Sequence, residues 1–185
     1  CGNVSAVYTQ TITIVDTTAP TWTTVAGALD VTLECSDAAG LAAAQLLFPV
    51  ATDNCDSDVT GIVKVTGVFV PGATCPEAGT YTNTWTVTDN CGNVSAVYTQ
   101  TITIVDTTPP TFTAPADITL CRDITGAYDR NVTNTGDVTN EADNCDTSLD
   151  AGFTDSDADM GTVDAVGVIT RTWTLTDDCG NVTSH

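Results

Sequence analysis

GTYTNTWTVTDNCGNVSAVYTQTITIVDTTPPT, residues 79–111, is the stretch from which the fold can be read. Between Gly79 and Asp89 the apolar Tyr81, Trp85 and Val87 share one parity, while Thr80, Thr82, Thr84, Thr86 and Thr88 take the other. That period of two is the mark of a strand with one buried face. After the turn at Asn90 to Asn93 the chain alternates again from Ser95 to Asp106, with Ala96, Tyr98, Ile102 and Ile104 on one side. The two runs predict an antiparallel hairpin.

The stretch recurs. Residues 1–21, CGNVSAVYTQTITIVDTTAPT, return at 91–111 with the single change Ala19 to Pro109, and CGNV returns again at Cys179. The offsets, 91 − 1 = 90 and 179 − 91 = 88 residues, are too long for a solenoid and suit independently folded domains. In the second copy Ile169, Trp173 and Leu175 alternate against Thr170, Thr172, Thr174 and Thr176, so Trp173 stands where Trp85 stood. Further strands are predicted at Val31–Cys35, Gly61–Val70 and Ile118–Cys121, each bounded by Gly, Pro, Asp or Asn. A short Ala- and Leu-rich helix is predicted within Asp37–Phe48, a character its counterpart Asp123–Glu141 does not share.

The expected fold is therefore all-β: tandem immunoglobulin-like antiparallel β-sandwiches joined end to end by short Pro-containing linkers. Those linkers are Asp16-Thr-Thr-Ala-Pro20 and Asp106-Thr-Thr-Pro-Pro110, in which Pro fixes φ and restricts the residue before it. On this reading residues 1–18 are the last strand of a preceding repeat, 19–108 a complete repeat, and 109–185 a second repeat lacking its last strand. The chain reads as a piece cut from a longer array.

A formal charge of −20 repels phosphate backbones and attracts divalent cations, so nucleic acid is an unexpected partner. No apolar run is long enough to insert in a membrane. Eight cysteines without a CxxC pair, beside the single His185, point to disulfides in an oxidising compartment rather than to zinc. The expected location is extracellular or at the cell surface. One histidine at position 185 cannot serve a Ser-His-Asp or Cys-His centre inside the repeats, and no catalytic residue is expected.

Cys35, Cys55 and Cys91 have counterparts in Cys121, Cys145 and Cys179, while Cys75 belongs to the first repeat alone. Two pairings stay open. The preferred one joins Cys55 to Cys91, Cys145 to Cys179 and Cys35 to Cys75, because the Asp-Asn-Cys turns are the best-matched positions. It leaves Cys121 over, and the parity of Cys121 is opposite to Ile118 and Leu120. The rival joins Cys35 to Cys91 and Cys55 to Cys75, and leaves Cys145 without a partner.

Carboxylates and amides gather at the expected strand ends. Asp53, Asp56, Asp89, Asn93 and Asp106 form one set, and Asp143, Asp146, Asp177 and Asn181 the other. Ca²⁺ takes six to eight oxygen ligands, and acidic segments converging at one end of a sandwich can supply them. Asp and Asn also form such turns without any ion, by bonding their own backbone.

The patterns ATDNC (51–55), TWTVTDNCGN (84–93) and TITIVDTTPPT (101–111), echoed by EADNC (141–145) and TWTLTDDCGN (172–181), carry a resemblance. They resemble the HYR-like and related immunoglobulin-like tandem repeats that fill giant secreted surface adhesins of Bacteroidota type, SprB-like proteins among them. The resemblance implies a cell-surface or extracellular filament engaged in adhesion, surface movement or a matrix. It also implies O-glycosylation at Asp-Thr-Thr, which selects Thr17 and Thr107.

The function expected is that of a stiff disulfide-bonded spacer rod in a filament or adhesin, its partners being neighbouring repeats. One alternative is a module binding glycans or surface proteins through loops such as Gly67–Gly79 or Gly126–Gly136. Another is a subunit that polymerises head to tail, its strand Ser5–Val15 completing the next molecule.

Overall fold

The computed structural model describes residues 1–121, 128–156 and 167–185. In chain order the elements are β1 (Thr21–Trp22), β2 (Val31–Glu34), α1 (Ala38–Gln45), β3 (Ala51–Thr52), β4 (Ile62–Val65), β5 (Val70–Pro71), β6 (Gly79–Val87) and β7 (Tyr98–Val105). They continue with β8 (Thr111–Thr113), α2 (Val132–Thr135), β9 (Thr139–Ala142), β10 (Gly152–Ser156), β11 (Thr170–Thr176) and β12 (Val182–Ser184). Strands in sheets dominate, and the two helices of the described residues span eight and four residues. The chain is all-β.

One sheet runs β2-β7-β6-β4, with β5 also paired to β6; β1-β3, β8-β9 and β10-β11-β12 are smaller sheets. β6 and β7 are the two predicted runs, and Trp85, Val87, Tyr98, Ile102 and Ile104 are all buried on the expected parity. The chain comprises two compact units, Cys1–Asp30 with Leu46–Gly67 and Thr82–Thr101, and Val31–Gln45 with Val68–Tyr81 and Ile102–His185. β6 and β7 pass through both.

In the first unit an aromatic stack makes the core. Trp22 meets Tyr98 edge-on at 5.6 Å, and Trp85 meets Phe48 and Tyr98 at 6.0 Å each. The Trp22 indole N–H donates to the Ala96 carbonyl at 2.7 Å, which satisfies its polar edge. Two fully buried amides complete this face: Asn83 donates to Gln100 Oε1 at 2.9 Å, and Gln100 donates to the Leu29 carbonyl at 2.7 Å.

In the second unit Ile102, Ile104 and Ala44 pack with Val31, Leu33, Leu41, Phe69 and Tyr81. Helix α1 falls inside the predicted segment. The Asp37 carboxylate caps it by accepting the Gly40 N–H at 2.8 Å. Towards the C-terminus Phe153 lies 4.9 Å from the buried Trp173. The Arg171 guanidinium sits 3.8 Å over Phe153 and forks onto Asp155 at 2.7 and 2.9 Å.

Four expectations need correction. β2 pairs with β7 in parallel, Val31 opposite Ile102 through Glu34 opposite Val105, so the sheet is mixed rather than antiparallel throughout. The run Gly61–Val70 is broken into β4 and β5. The break sits at Gly67, whose N–H is taken by the Asn83 side chain and where an added Cβ would lie 2.2 Å from the Thr82 carbonyl oxygen. Ile118–Cys121 forms no strand: β2 is held by β7, and no strand among the described residues pairs with its counterpart, whose Ile118 is 49% exposed. Residues 1–18 likewise form no strand. Of the Asp123–Glu141 segment, residues 123–127 lie outside the described residues, as does the beginning of the Gly126–Gly136 loop.

Candidate functional site

The best-defined geometry in the chain is an acidic double turn that occurs twice. In the first copy Asp53 Oδ1 accepts the N–H groups of Cys55 and Asp56 at 2.9 and 3.0 Å. In the second, Asp143 Oδ1 accepts those of Cys145 and Asp146 at 2.8 and 3.0 Å. Asp side chains bond the backbone two and three residues on, and so fix a turn without help from a strand.

A second turn is latched to the first. Asp56 Oδ2 accepts the Asn90 N–H at 3.2 Å, as Asp146 Oδ2 accepts the Asp178 N–H at 3.1 Å. Asp89 takes both the N–H and the side-chain amide of Asn93 at 2.8 Å, and Asp177 takes the same two groups of Asn181 at 2.8 Å. Gly92 and Gly180 turn the chain at φ of 91° and 89°, where a side chain would be strained.

The amide of each Asn then reaches back to an Asp of the Asp-Thr-Thr triplet upstream. Asn93 Nδ2 donates to the Asp16 carbonyl at 3.3 Å and Asn181 Nδ2 to the Asp106 carbonyl at 3.2 Å. Asp16 and Asp106 are thereby each seated on the pair of turns that follows in the chain.

This seating regroups the expected cation ligands. Asp53 and Asp89 gather with Asp16, each offering an oxygen within 4.8 Å of the others. Asp106, expected beside Asp53 and Asp89, joins Asp177 within the same limit, with Asp143 close enough to raise its pKa. Asp56 and Asp146 spend their oxygens on backbone N–H groups, and Asn93 and Asn181 spend their amides on Asp89 and Asp177. They build the turns. Asp16 is the member of the cluster that reading the turns alone misses, and its identity with Asp106 in the repeated sequence is the signal that finds it.

Burial raises the Asp106 pKa, against the Thr108 N–H that lowers it, and the charges of Asp143, Asp177 and Glu34 push the same way. Burial also pushes Asp89 up, yet the donors from Asn93, Cys91 and Gly92 outweigh it, and its pKa lies below the usual carboxylate value. Asp53 Oδ2, Asp143 Oδ2 and Asp106 Oδ2 are buried without a hydrogen-bond partner, and Asp106 is only 7% exposed. Unpartnered carboxylate oxygens, one from Asp53 at the first pair of turns and those of Asp106 and Asp143 at the second, are donors of the hard kind that suit Ca²⁺.

The cysteines beside these turns follow neither expected pairing. Cys35 is bridged to Cys145 and Cys75 to Cys179, with Cα separations of 6.1 and 4.6 Å, inside the usual disulfide range. Cys55 and Cys91, expected as a pair, are unbridged and exposed, as are Cys1 and Cys121. The pairs Cys145–Cys179 and Cys35–Cys75 are likewise not formed. The reason is positional. Cys35 ends β2 with its N–H on the Val105 carbonyl, so it stands where the chain leaves for Asp106 and the following repeat. There the Asn144 side chain donates to Ser36 Oγ at 3.1 Å, which sets Cys145 beside Cys35.

Residues 23–104 match the family model of the HYR-like domain with 4 cysteines. No curated protein and no solved structure matches the chain. The four cysteines of this HYR-like stretch are Cys35, Cys55, Cys75 and Cys91. An HYR-like stretch and two disulfides fit an extracellular structural or adhesion module. Among the described residues no helix is long and apolar enough to cross a membrane.

Within the HYR-like stretch the Gly67–Gly79 loop, expected as a binding surface, carries Cys75 and so is stapled to Cys179. Thr17 and Thr107 are both exposed; the Thr107 hydroxyl and N–H face the Glu34 carboxylate, the N–H at 2.8 Å. That hydrogen bond and those from Thr108 hold the Glu34 pKa below its usual value.

Proposed function

We propose that the chain is a spacer segment of an extracellular filament or adhesin, in which successive repeats are locked at each junction into a stiff rod. The observation that carries this reading is the double covalent tie between adjacent sequence repeats, Cys35–Cys145 and Cys75–Cys179. The acidic seat beside those bridges adds a polar clamp on the linker, and its Pro residues restrict the backbone further. The repeat boundary near residue 108 and the kinship to Bacteroidota surface adhesins of SprB type belong to this reading. Catalysis does not. Electron microscopy of the purified parent protein tests it: thin threads of constant calibre support the rod, and rounded particles overturn it.

Calcium is proposed as the ion of the seat, held by Asp16, Asp53 and Asp89 in one copy and by Asp106, Asp143 and Asp177 in the other. Bound there, it would neutralise carboxylates that otherwise repel in a chain of charge −20. Ligand present at a hundred times its Kd adds about 2.7 kcal/mol. The oxidised chain should therefore melt several degrees higher with calcium than with chelator, and coincident melting curves remove the ion from the proposal.

A second reading rests on exposed apolar sequence. Tyr8, Ile12 and Ile14 are 76–97% exposed although their copies Tyr98, Ile102 and Ile104 are buried. This segment is a candidate to add as a strand to another molecule. A concentration-dependent ladder of oligomers that vanishes on deletion of residues 1–15 would favour it over the covalent array.

A further inference from the structure

Cys55 and Cys91 stand in the same setting as two cysteines that are bridged. Cys55 matches Cys145 in the N–H it gives to the Asp two residues before it, and Cys91 and Cys179 stand in turns closed by the same Asp–Asn bonds. The likeness extends to the neighbouring Asn side chain, which donates to Cys55 Sγ at 3.1 Å in one copy and to Cys145 Sγ at 3.0 Å in the other. Yet Cys145 and Cys179 are tied to cysteines of the repeat before them, while Cys55 and Cys91 have exposed thiols.

A second, independent observation shows what belongs beside them. Residues 1–18 are identical to 91–108, the end of a repeat. Their Asp16 is seated on the first pair of turns as Asp106 is seated on the second, down to the Thr18 N–H on Asp16 Oδ1 at 3.0 Å and the Thr108 N–H on Asp106 Oδ1 at 3.2 Å. The segment that enters at Asp16 therefore takes the position which, at Asp106, brings Cys35 and Cys75 onto the turns.

We propose that Cys55 and Cys91 are cross-linking sites for a preceding repeat of the same polypeptide, bridging to its copies of Cys35 and Cys75. The four cysteines of an HYR-like repeat are then divided two and two. Cys55 and Cys91 reach backward, Cys35 and Cys75 reach forward, and none pairs within its own repeat. The array becomes one covalent ladder, in which no repeat closes on itself.

Each bridge forms by exchange with a disulfide-type oxidant. One cysteine thiolate attacks the oxidant's disulfide and displaces one of its sulfurs. The partner thiolate then attacks the mixed disulfide and displaces the other. Two protons leave the cysteines, and two electrons end on the oxidant as its dithiol form.

The pairing rests on the array reading, and one experiment separates them. A second copy of residues 19–108 is inserted between Thr18 and Ala19 of the full chain, and both chains are oxidised, alkylated under native conditions and mapped without reduction. Linked peptides Cys35–Cys55 and Cys75–Cys91 are expected in the lengthened chain and not in the parent. With Cys35→Ser in the inserted copy, alkylation of Cys55 should rise from about one to about two per chain. With Cys75→Ser the same rise should occur at Cys91, so the result does not hang on one variant folding. A Cys55–Cys91 peptide in the lengthened chain, or alkylation of Cys75 in the Cys35→Ser variant, overturns the pairing. If such chains still form threads in the microscope, the pairing fails alone; if they are rounded particles, the array reading fails with it.

Discussion

Ser5–Val15 and Ser95–Val105 are the same eleven residues and have different structures. In the second, Tyr98, Ile102 and Ile104 are 4%, 0% and 7% exposed within β7; in the first, Tyr8, Ile12 and Ile14 are 97%, 76% and 92% exposed and no strand forms. Composition and alternation are identical, so β propensity is not what makes β7. Its neighbours do: β2 on one edge, β6 on the other, and the apolar residues of α1 and Phe69 over its buried face. The turns at Asp89 and Asp177 behave in the opposite way: each bonds its own backbone and keeps the same geometry, one after β6 and the other after β11.

The largest blow to this comparison should come from the bridges, which only the second junction possesses. The double variant Cys35→Ser with Cys145→Ser opens a loop spanning a sequence separation of 110 residues and should cost about 3–5 kcal/mol in chemical denaturation. A loss below about 1 kcal/mol would mean the seat holds the junction by itself. Next comes the same substitution in the two environments. Ile102→Ala should cost about 2–5 kcal/mol and Ile12→Ala less than about 0.5. Equal losses would show that the first copy is packed in solution after all.

A smaller contrast concerns what the two repeats bury at one strand position, Asn83 in β6 and Arg171 in β11. The fork from Arg171 holds the Asp155 carboxyl below its usual pKa, so it contributes stability above the unfolded value of about 3.9, lost as pH falls through the folded value. Asp155→Asn should lower stability at neutral pH by about 1–3 kcal/mol and flatten this part of the acid dependence. An unchanged acid limb would assign that limb to other carboxylates. Smallest is the turn itself: Asn93→Ala and Asn181→Ala should each cost about 1 kcal/mol. A loss at Asn181 alone would mean that the first turn needs its bridges in order to form.

Much of the fold could be read from residues alone. The parity of Trp85 against the threonines located β6, the copy at Trp173 located β11, and the Ala-rich segment after Asp37 located α1. What escaped was relational. Parity assigns a buried face but is blind to strand direction, so Val31–Cys35 could not disclose that β2 lies parallel to β7. Ile118–Cys121 has strand residues and lacks the partner that makes them a strand. The cysteines escaped for a related reason. Spacing shows that Cys55 and Cys145 are equivalent, but not that the turn around each faces the repeat before it. Asp106 was placed with the wrong turns by the same assumption, that a repeat closes on itself.

The parallel pairing of β2 with β7 has a mechanical consequence. Tension entering at Val31 and leaving at Val105 pulls the two strands lengthwise in opposite directions, so the four registered positions share the load in shear rather than unzipping in turn. Single-molecule stretching of the chain with its bridges reduced should register this as one abrupt rupture in the first repeat, and a sheet that peels gradually would show that the force takes another route.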